Sequence, residues 1–138
     1  NFVGVGVKQE DVAGLEIEAR PWSEESEVQS ILEFDIGIMP LKDNAFAQGK
    51  CGYKLIQYMA CGIPVIASPV GVNTSIVEDG INGFLAETRD GWICSIESLL
   101  SKPDLRLQMG NRGRKKVIAE YTLETTRTQL VSLLRGSL

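Results

Sequence analysis

The sequence predicts an α/β fold, a parallel sheet with helices on both faces. Short apolar runs that suit buried strands alternate with stretches whose apolar residues recur at helical spacing. The segment from Gly49 to Pro69 shows the pattern most clearly. It reads as a glycine-loosened entry, a helix of about three turns, a stop at Gly62 and a short buried strand. No internal repeat or low-complexity tract interrupts the alternation, and 138 residues correspond to one domain.

Composition narrows the function. A formal charge of −4 argues against a nucleic-acid footprint and against a polybasic membrane surface. Cys51, Cys61 and Cys94 show no C-x-x-C pairing, which argues against a disulfide framework or a zinc site and for a reducing, cytoplasmic home. The absence of histidine removes Ser-His-Asp and Cys-His nucleophilic mechanisms and imidazole metal sites from this chain. No apolar run reaches the length of a membrane span, and no signal peptide opens the chain. It runs straight into an apolar strand, as expected of a segment of a longer protein.

Taken in order, Phe2 to Val7 reads as a strand. Gly4-Val5-Gly6 resembles the start of a dinucleotide fingerprint, but Gln9 stands where the third glycine belongs, so a nicotinamide-dependent oxidoreductase is poorly supported. Leu15 to Ala19 alternates like a half-exposed strand, and Arg20-Pro21-Trp22 breaks it. Ser23 can cap a helix whose first turn holds Glu24, Glu25 and Glu27 and whose stripe is Val28, Ile31 and Leu32. Trp22 can either pack against a flat base or seal the core edge. Phe34 to Met39 suits a buried parallel strand ended by Pro40, and Leu41 to Gln48 reads as a polar loop. Asp43 in that loop is either a sugar ligand or a solvated carboxylate.

The central helix spans roughly Lys50 to Cys61. Wound at about 100° per residue, it puts Lys50, Lys54, Gln57 and Cys61 in one stripe and Gly52, Leu55, Ile56 and Met59 on the opposite side. The apolar side can lie on a sheet. The other presents two ammonium groups and an amide beside a helix N-terminus, which suits a phosphate or pyrophosphate with a polyol next to it. The competing reading is an ordinary solvated face. Gly49 and Gly52 favour the ligand, because they sit where it would approach the backbone closely.

Ile63 to Ala67 is the next strand, with Pro64 at its start. Asn73 or Thr74 can cap a short helix through Val77. Asp79-Gly80 and Asn82-Gly83 are turn signals before a strand at Phe84 to Ala86. Asp90 caps a helix whose Trp92, Ile93, Ile96, Leu99 and Leu100 face one way. Asp104 opens another through Leu105, Leu107 and Met109, where Gly110 and Gly113 permit a bend or a close contact. Arg112, Arg114, Lys115 and Lys116 read either as the solvated face of that helix or as a partner or lipid contact. Thr122 caps a last helix through Leu130, Leu133 and Leu134. In a parallel sheet the loops after Ala19, Met39 and Ala67 gather on one edge, where ligands bind.

Gly49 to Pro69, Gly71-Val72-Asn73, the Glu78 to Leu85 stretch, Asp35 to Pro40 and the Arg106 to Tyr121 helix together resemble the C-terminal domain of glycosyltransferase family 4. Tyr58 to Ala67 is the most specific part. The resemblance implies a Rossmann-like domain, the C-terminal half of a retaining enzyme of GT-B architecture, truncated at its N-terminal side. It implies a donor-binding piece spanning residues 1–138 that lacks the first strand–helix unit and the acceptor-binding domain. That other half would be its partner and its route to any peripheral membrane contact. The ligand would be a nucleoside-diphosphate sugar, used as substrate without a cofactor or a metal.

Residue by residue, the resemblance places the donor pyrophosphate at Lys50, Cys51, Gly52, Tyr53 and Lys54, and the ribose at Gln57. The base lies against Pro21 and Trp22, and the donor sugar near Asp43 and Gly49. The family pattern carries two glutamates eight positions apart, and here those positions hold Gly49 and Gln57. Gln57 can hydrogen-bond ribose hydroxyls without a carboxylate's charge-assisted strength. Gly49 cannot do the first glutamate's work, which keeps a non-catalytic nucleotide-binding or scaffold domain as the alternative. The resemblance assigns no catalytic residue within this chain, and the isolated chain is expected to turn over nothing.

Overall fold

A computed structural model describes residues 1–136. The chain divides into two compact units, Asn1–Glu33 and Phe34–Leu138.

In the first unit, β1 (Phe2–Val5) pairs in parallel with β2 (Ile17–Arg20) across a short 3-10 turn, Gln9–Val12. The first strand stops two residues earlier than the apolar run suggests. Gly6 turns away at φ 78 and donates its N–H to the Arg20 carbonyl at 2.9 Å. The second strand is shifted toward its C-terminus, because Gly14, at φ 81, still belongs to the turn and Ile17 is the first residue to find a ladder partner. Helix α1 (Glu24–Leu32) begins as expected, with the Ser26 N–H donating to Ser23 Oγ at 3.2 Å. The Arg20 guanidinium donates to Glu18 and Glu33, each at 2.7 Å.

The second unit holds a three-stranded parallel sheet in the order β3 (Gly37–Met39), β4 (Val65–Ala67), β5 (Gly83–Leu85). Its faces follow from strand alternation. Val65 and Ala67 of the fully buried middle strand join Met39, Leu55, Met59, Ile76, Val77 and Val117 in one cluster. Ile66 points the other way, to Ala86, Leu99 and Met109. Helices therefore cover both faces: α3 (Tyr53–Ala60) and α4 (Asn73–Ile76) one, α5 (Arg89–Ser101) the other. The long α6 (Pro103–Glu120) reaches both. The strands β3 and β4 are shorter than their apolar runs, and β5 starts one residue earlier than expected. Phe34 lies outside β3 and packs edge-on against Tyr58 with ring centroids 6.3 Å apart. Ile63 still belongs to the end of α3, its N–H donating to the Tyr58 carbonyl at 3.0 Å.

Several caps differ from expectation. Leu41 to Gln48 is not wholly loop: Asn44 Oδ1 accepts from the Ala47 N–H at 2.9 Å and starts a helical turn, α2 (Ala45–Gln48). Neither Asn73 nor Thr74 caps α4, whose N-cap is Val72, because Asn73 is buried within the helix. Thr88, not Asp90, caps α5; its Oγ1 accepts from the Gly91 N–H at 3.1 Å, leaving Asp90 in the first turn, where its charge still suits the dipole. Pro103 takes the first position of α6, where its missing N–H costs nothing. Thr122 Oγ1 does accept from the Thr125 N–H, at 3.2 Å, at the start of α7 (Leu123–Gly136).

Gly110 and Gly113 serve close contact within an unbroken helix. A Cβ on Gly110 would run into the Gly62 carbonyl, and one on Gly113 would stand 3.0 Å from Met59 Cγ. The basic residues of α6 are not simply a solvated face. Arg106 donates to the Leu99 carbonyl at 2.7 Å, Arg114 to the Ala60 carbonyl at 2.7 Å, and Lys116 to the Ser75 carbonyl at 2.9 Å. One helix thus satisfies the C-terminal carbonyls of α5, α3 and α4, where cations are favoured. Among the described residues no helix is long and apolar enough to cross a membrane.

Candidate functional site: the tip of helix α3

The sheet carries its connections out at the carboxyl ends of β3 and β4. These are stitched together there: the Ser68 N–H donates to the Met39 carbonyl at 3.2 Å, and the Leu41 N–H to Ser68 Oγ at 2.9 Å. Buried Asn73 ties back the loop after β4, donating Nδ2–H to the Ser68 carbonyl at 3.0 Å. Gly71, at φ 56, lets that loop pass against the end of α2, where a Cβ would stand 2.8 Å from the Gln48 carbonyl oxygen. The next residue, Val72, reaches Gly52 at the start of α3, its Cγ2 3.2 Å from where a Cβ would be. The loops after Met39 and Ala67, the end of α2 and the tip of α3 accordingly share one edge, as the topology rule requires.

Helix α3 starts three residues later than the sequence pattern suggests. Gly52 is its N-cap in the left-handed region, φ 66 and ψ 18, with no side chain capping the helix. The ladder begins with the Leu55 N–H donating to the Gly52 carbonyl at 2.9 Å. Among the described residues, the Tyr53 and Lys54 N–H groups accordingly have no acceptor. They form an electropositive tip of the kind that binds anions.

The later start changes the roles of the named residues. Lys50 is not on α3. Its N–H donates to the Ala47 carbonyl at 3.2 Å, so it continues the turn of α2, and its ammonium stands 5.3 Å above the centre of the Phe46 ring. The single stripe of Lys50, Lys54, Gln57 and Cys61 therefore breaks up. Lys54 and Gln57 remain one turn apart on α3, with Lys54 exposed and Gln57 half-buried, and Cys61 is the C-cap. The opposite side is as expected, with Gly52, Leu55 and Met59 buried and Ile56 packed on the core. Cys51 is an exposed free thiol and Tyr53 is 61% exposed. Burial raises the Cys61 thiol pKa, which Arg114 partly opposes.

The two glycines prove unlike each other. Gly52 is needed by the protein itself, because its backbone is left-handed and Ile76 Cδ1 fills the space a Cβ would take. Gly49 has φ −80 and meets only ordinary contacts, 3.7 Å to the Phe46 carbonyl oxygen, so the fold places no demand for glycine there. Asp43 Oδ1 accepts from Gln48 Nε2 at 2.8 Å, an exposed local tie over α2.

In the first unit, Pro21 is exposed at the end of β2, and Trp22 is 54% exposed with its indole N–H donating to Glu27 at 2.9 Å. Trp22 therefore does not seal a core edge. Sequence reasoning missed Ser68, Gly71 and Asn73 as builders of the edge. The only signal was the polar and glycine-bearing turn after a fully apolar strand. Two surface depressions of the second unit lie on other residues, one around Cys94, Ser98 and Lys102 and one around Arg127, Val131 and Arg135. Among the described residues no three His, Cys, Asp or Glu side chains are grouped to hold a metal ion.

Known proteins resemble this chain in sequence and fold. A D-inositol 3-phosphate glycosyltransferase of Corynebacterium urealyticum is 31% identical over 104 residues, covering 74% of this chain and 23% of its own length. An N-acetyl-alpha-D-glucosaminyl L-malate synthase of Bacillus anthracis is 33% identical over 75 residues, covering 53% of this chain and 20% of its own. The chain thus spans less than a quarter of these relatives. Among solved structures, sucrose-phosphate synthase from Thermosynechococcus elongatus matches 93% of this chain and 32% of its own, with a TM-score of 0.72 and 25% identity. Anabaena HepE in complex with UDP-glucose matches 94% and 35%, with a TM-score of 0.69 and 20% identity, a likeness of fold. The family model of glycosyl transferases group 1 matches residues 22–116, from the end of β2 through most of α6. The chain belongs to the glycosyl transferases group 1 family.

Proposed function

We propose that this chain is the donor-binding part of a retaining glycosyltransferase that moves a sugar from a nucleoside diphosphate to a glycan or lipid-linked acceptor. One observation carries the reading: the uncapped tip of α3, with the Tyr53 and Lys54 N–H groups unpaired among the described residues and exposed Lys54 in its first turn. Family membership and the UDP-glucose held by HepE support it.

In this reading the diphosphate rests on Gly52, Tyr53 and Lys54, flanked by Lys50 and Cys51. Gln57 serves the ribose, and Asp43 and Gly49 border the sugar. The bond between the anomeric carbon and the diphosphate oxygen breaks, and its electron pair leaves with the phosphate. The acceptor hydroxyl forms the new bond and yields its proton to the departing diphosphate. Fixed N–H dipoles and ammonium groups stabilise that growing charge without reorganising, so the reading calls for no metal or cofactor here. The partner is an acceptor-binding half in the same cytoplasmic protein, through which any membrane contact is made.

Calorimetry of the full-length protein with UDP and GDP tests it. Lys54→Ala should weaken binding about fivefold, the effect of roughly 1 kcal/mol from one charge at a helix tip. Unchanged binding in Lys54→Ala would refute the assignment. Gly49, where the family pattern has a glutamate, favours a second reading, a nucleotide-binding scaffold. A transfer assay with donor and acceptor separates the two.

A further inference from the structure

Two demands of the fold meet in the dipeptide Asn82-Gly83. Asn82 is 2% exposed, and both ends of its carboxamide are engaged. Its Nδ2–H donates to the Ile76 carbonyl at 3.1 Å, and its Oδ1 accepts from the Glu78 N–H at 2.9 Å. The side chain thereby ties the end of α4 to the start of β5. Gly83 opens β5 opposite Val65, and a Cβ there would collide with the Val65 carbonyl oxygen. The fold thus requires an amide at one position and no side chain at the next. An asparagine followed by glycine is also the pair in which nothing shields the carboxamide carbon from the following backbone nitrogen.

We infer that Asn82 is a site of spontaneous deamidation that the fold itself keeps closed, and that its conversion bars the chain from returning to the native state. In an opened chain the Gly83 nitrogen attacks Asn82 Cγ. The bond from Cγ to the side-chain nitrogen breaks, and that nitrogen departs as ammonia with the proton from Gly83. Water then opens the cyclic imide, leaving aspartate when it attacks Cγ and isoaspartate when it attacks the main-chain carbonyl. In the folded chain the carboxamide is pinned to residues 76 and 78, so the attack waits on opening. Neither product carries an Nδ2–H, so the Ile76 carbonyl loses its donor and a carboxylate is left in a buried position. Ile76 is also the residue whose Cδ1 lies against Gly52, so the cap of α3 depends on the same anchor. Asn73 supplies an internal comparison. It is as buried as Asn82 and donates to the Ser68 carbonyl, but Thr74 follows it with a branched side chain that crowds the same attack.

Mass spectrometry of the tryptic segment 55–89, taken from the full-length protein after incubation at mildly alkaline pH in native buffer and in guanidinium, tests this. Asn82 should convert about tenfold or more faster in guanidinium than in buffer, while Asn73 stays an amide in both. After dilution from guanidinium, the refolded fraction should hold intact Asn82 and the unrecovered fraction the converted residue. Asn82→Asp, which places one product there directly, should lower the guanidinium midpoint, with failure to fold as the limit of the same effect. Four results would overturn the inference: equal rates in the two solvents, conversion of Asn73 as fast as Asn82, converted Asn82 recovered at its full share in the refolded fraction, or an unchanged midpoint in Asn82→Asp.

Discussion

Replacing Gly52 with alanine tests the geometry of the α3 tip most directly. Two independent costs arise. Alanine at φ 66 and ψ 18 is in the left-handed region, worth roughly 1–2 kcal/mol. Its Cβ also enters space held by Ile76 Cδ1 and stands 3.2 Å from Val72 Cγ2, an overpacking worth about 1–3 kcal/mol. The expected loss is about 2–5 kcal/mol, read as a fall in the urea midpoint at unchanged slope. The two costs separate in a double-mutant cycle. Ile76→Val alone should cost about 1 kcal/mol, since Ile76 is 2% exposed in the core, but it removes the Cδ1 that the new methyl strikes. The double variant should therefore be more stable than the sum of the two losses by about 1 kcal/mol or more. Additive losses would refute the contact between Ile76 and the helix tip. A Gly52→Ala loss below about 0.5 kcal/mol would refute the left-handed cap itself.

Two further glycines give opposite expectations in the same urea assay. Gly110→Ala should be severe, about 3 kcal/mol or more, because the methyl meets the Gly62 backbone, which cannot turn aside as a side chain can. Gly49→Ala should stay within about 0.5 kcal/mol, and a large loss there would show that the α2–α3 link is tighter than its ordinary φ implies. Lys116→Met should cost about 1–2 kcal/mol, having lost hydrogen bonds to the Ser75 carbonyl and to Glu78. Burial alone would depress the Lys116 pKa, but the hydrogen bond it donates to Glu78 and nearby negative charge leave it raised. A raised ammonium pKa contributes stability that is fully present below about pH 10.4 and is lost as pH climbs through the higher folded value. Stability curves of wild type and Lys116→Met should accordingly converge in strong alkali, and a gap that persists there would count against the ion pair.

The order of strands and longer helices was legible from residue pattern alone, whereas the short turns at Gln9–Val12 and Ala45–Gln48 were not. Ser23 and Thr122 are caps because a short hydroxyl side chain can reach a nearby N–H whatever surrounds it. The 65–67 strand reads from its apolar run, and its alternate residues divide between two cores because side-chain direction along a strand is a local property. Boundaries and partners were not local. Helix α3 begins at Tyr53 rather than Lys50 because Gly52 is pressed against Ile76, and no rule of helical spacing contains that contact. The same displacement moved Lys50 onto Phe46 and dissolved the stripe it was expected to share with Lys54.

The basic residues of α6 make the distinction plainest. As sequence they are an amphipathic helix's charged positions. As structure, Arg106, Arg114 and Lys116 hold the carboxyl ends of three other helices, one of them α3. Sequence by itself determined the α/β class, the family and the helix whose tip carries the proposed chemistry, because these depend on periodicity and on contiguous residues. Tertiary structure alone decided which glycine is indispensable, where Lys50 stands and what Arg114 and Lys116 are for. Those depend on atoms brought together from segments far apart in the chain, such as Lys116 and Ser75, and no short window of sequence contains both members of such a pair.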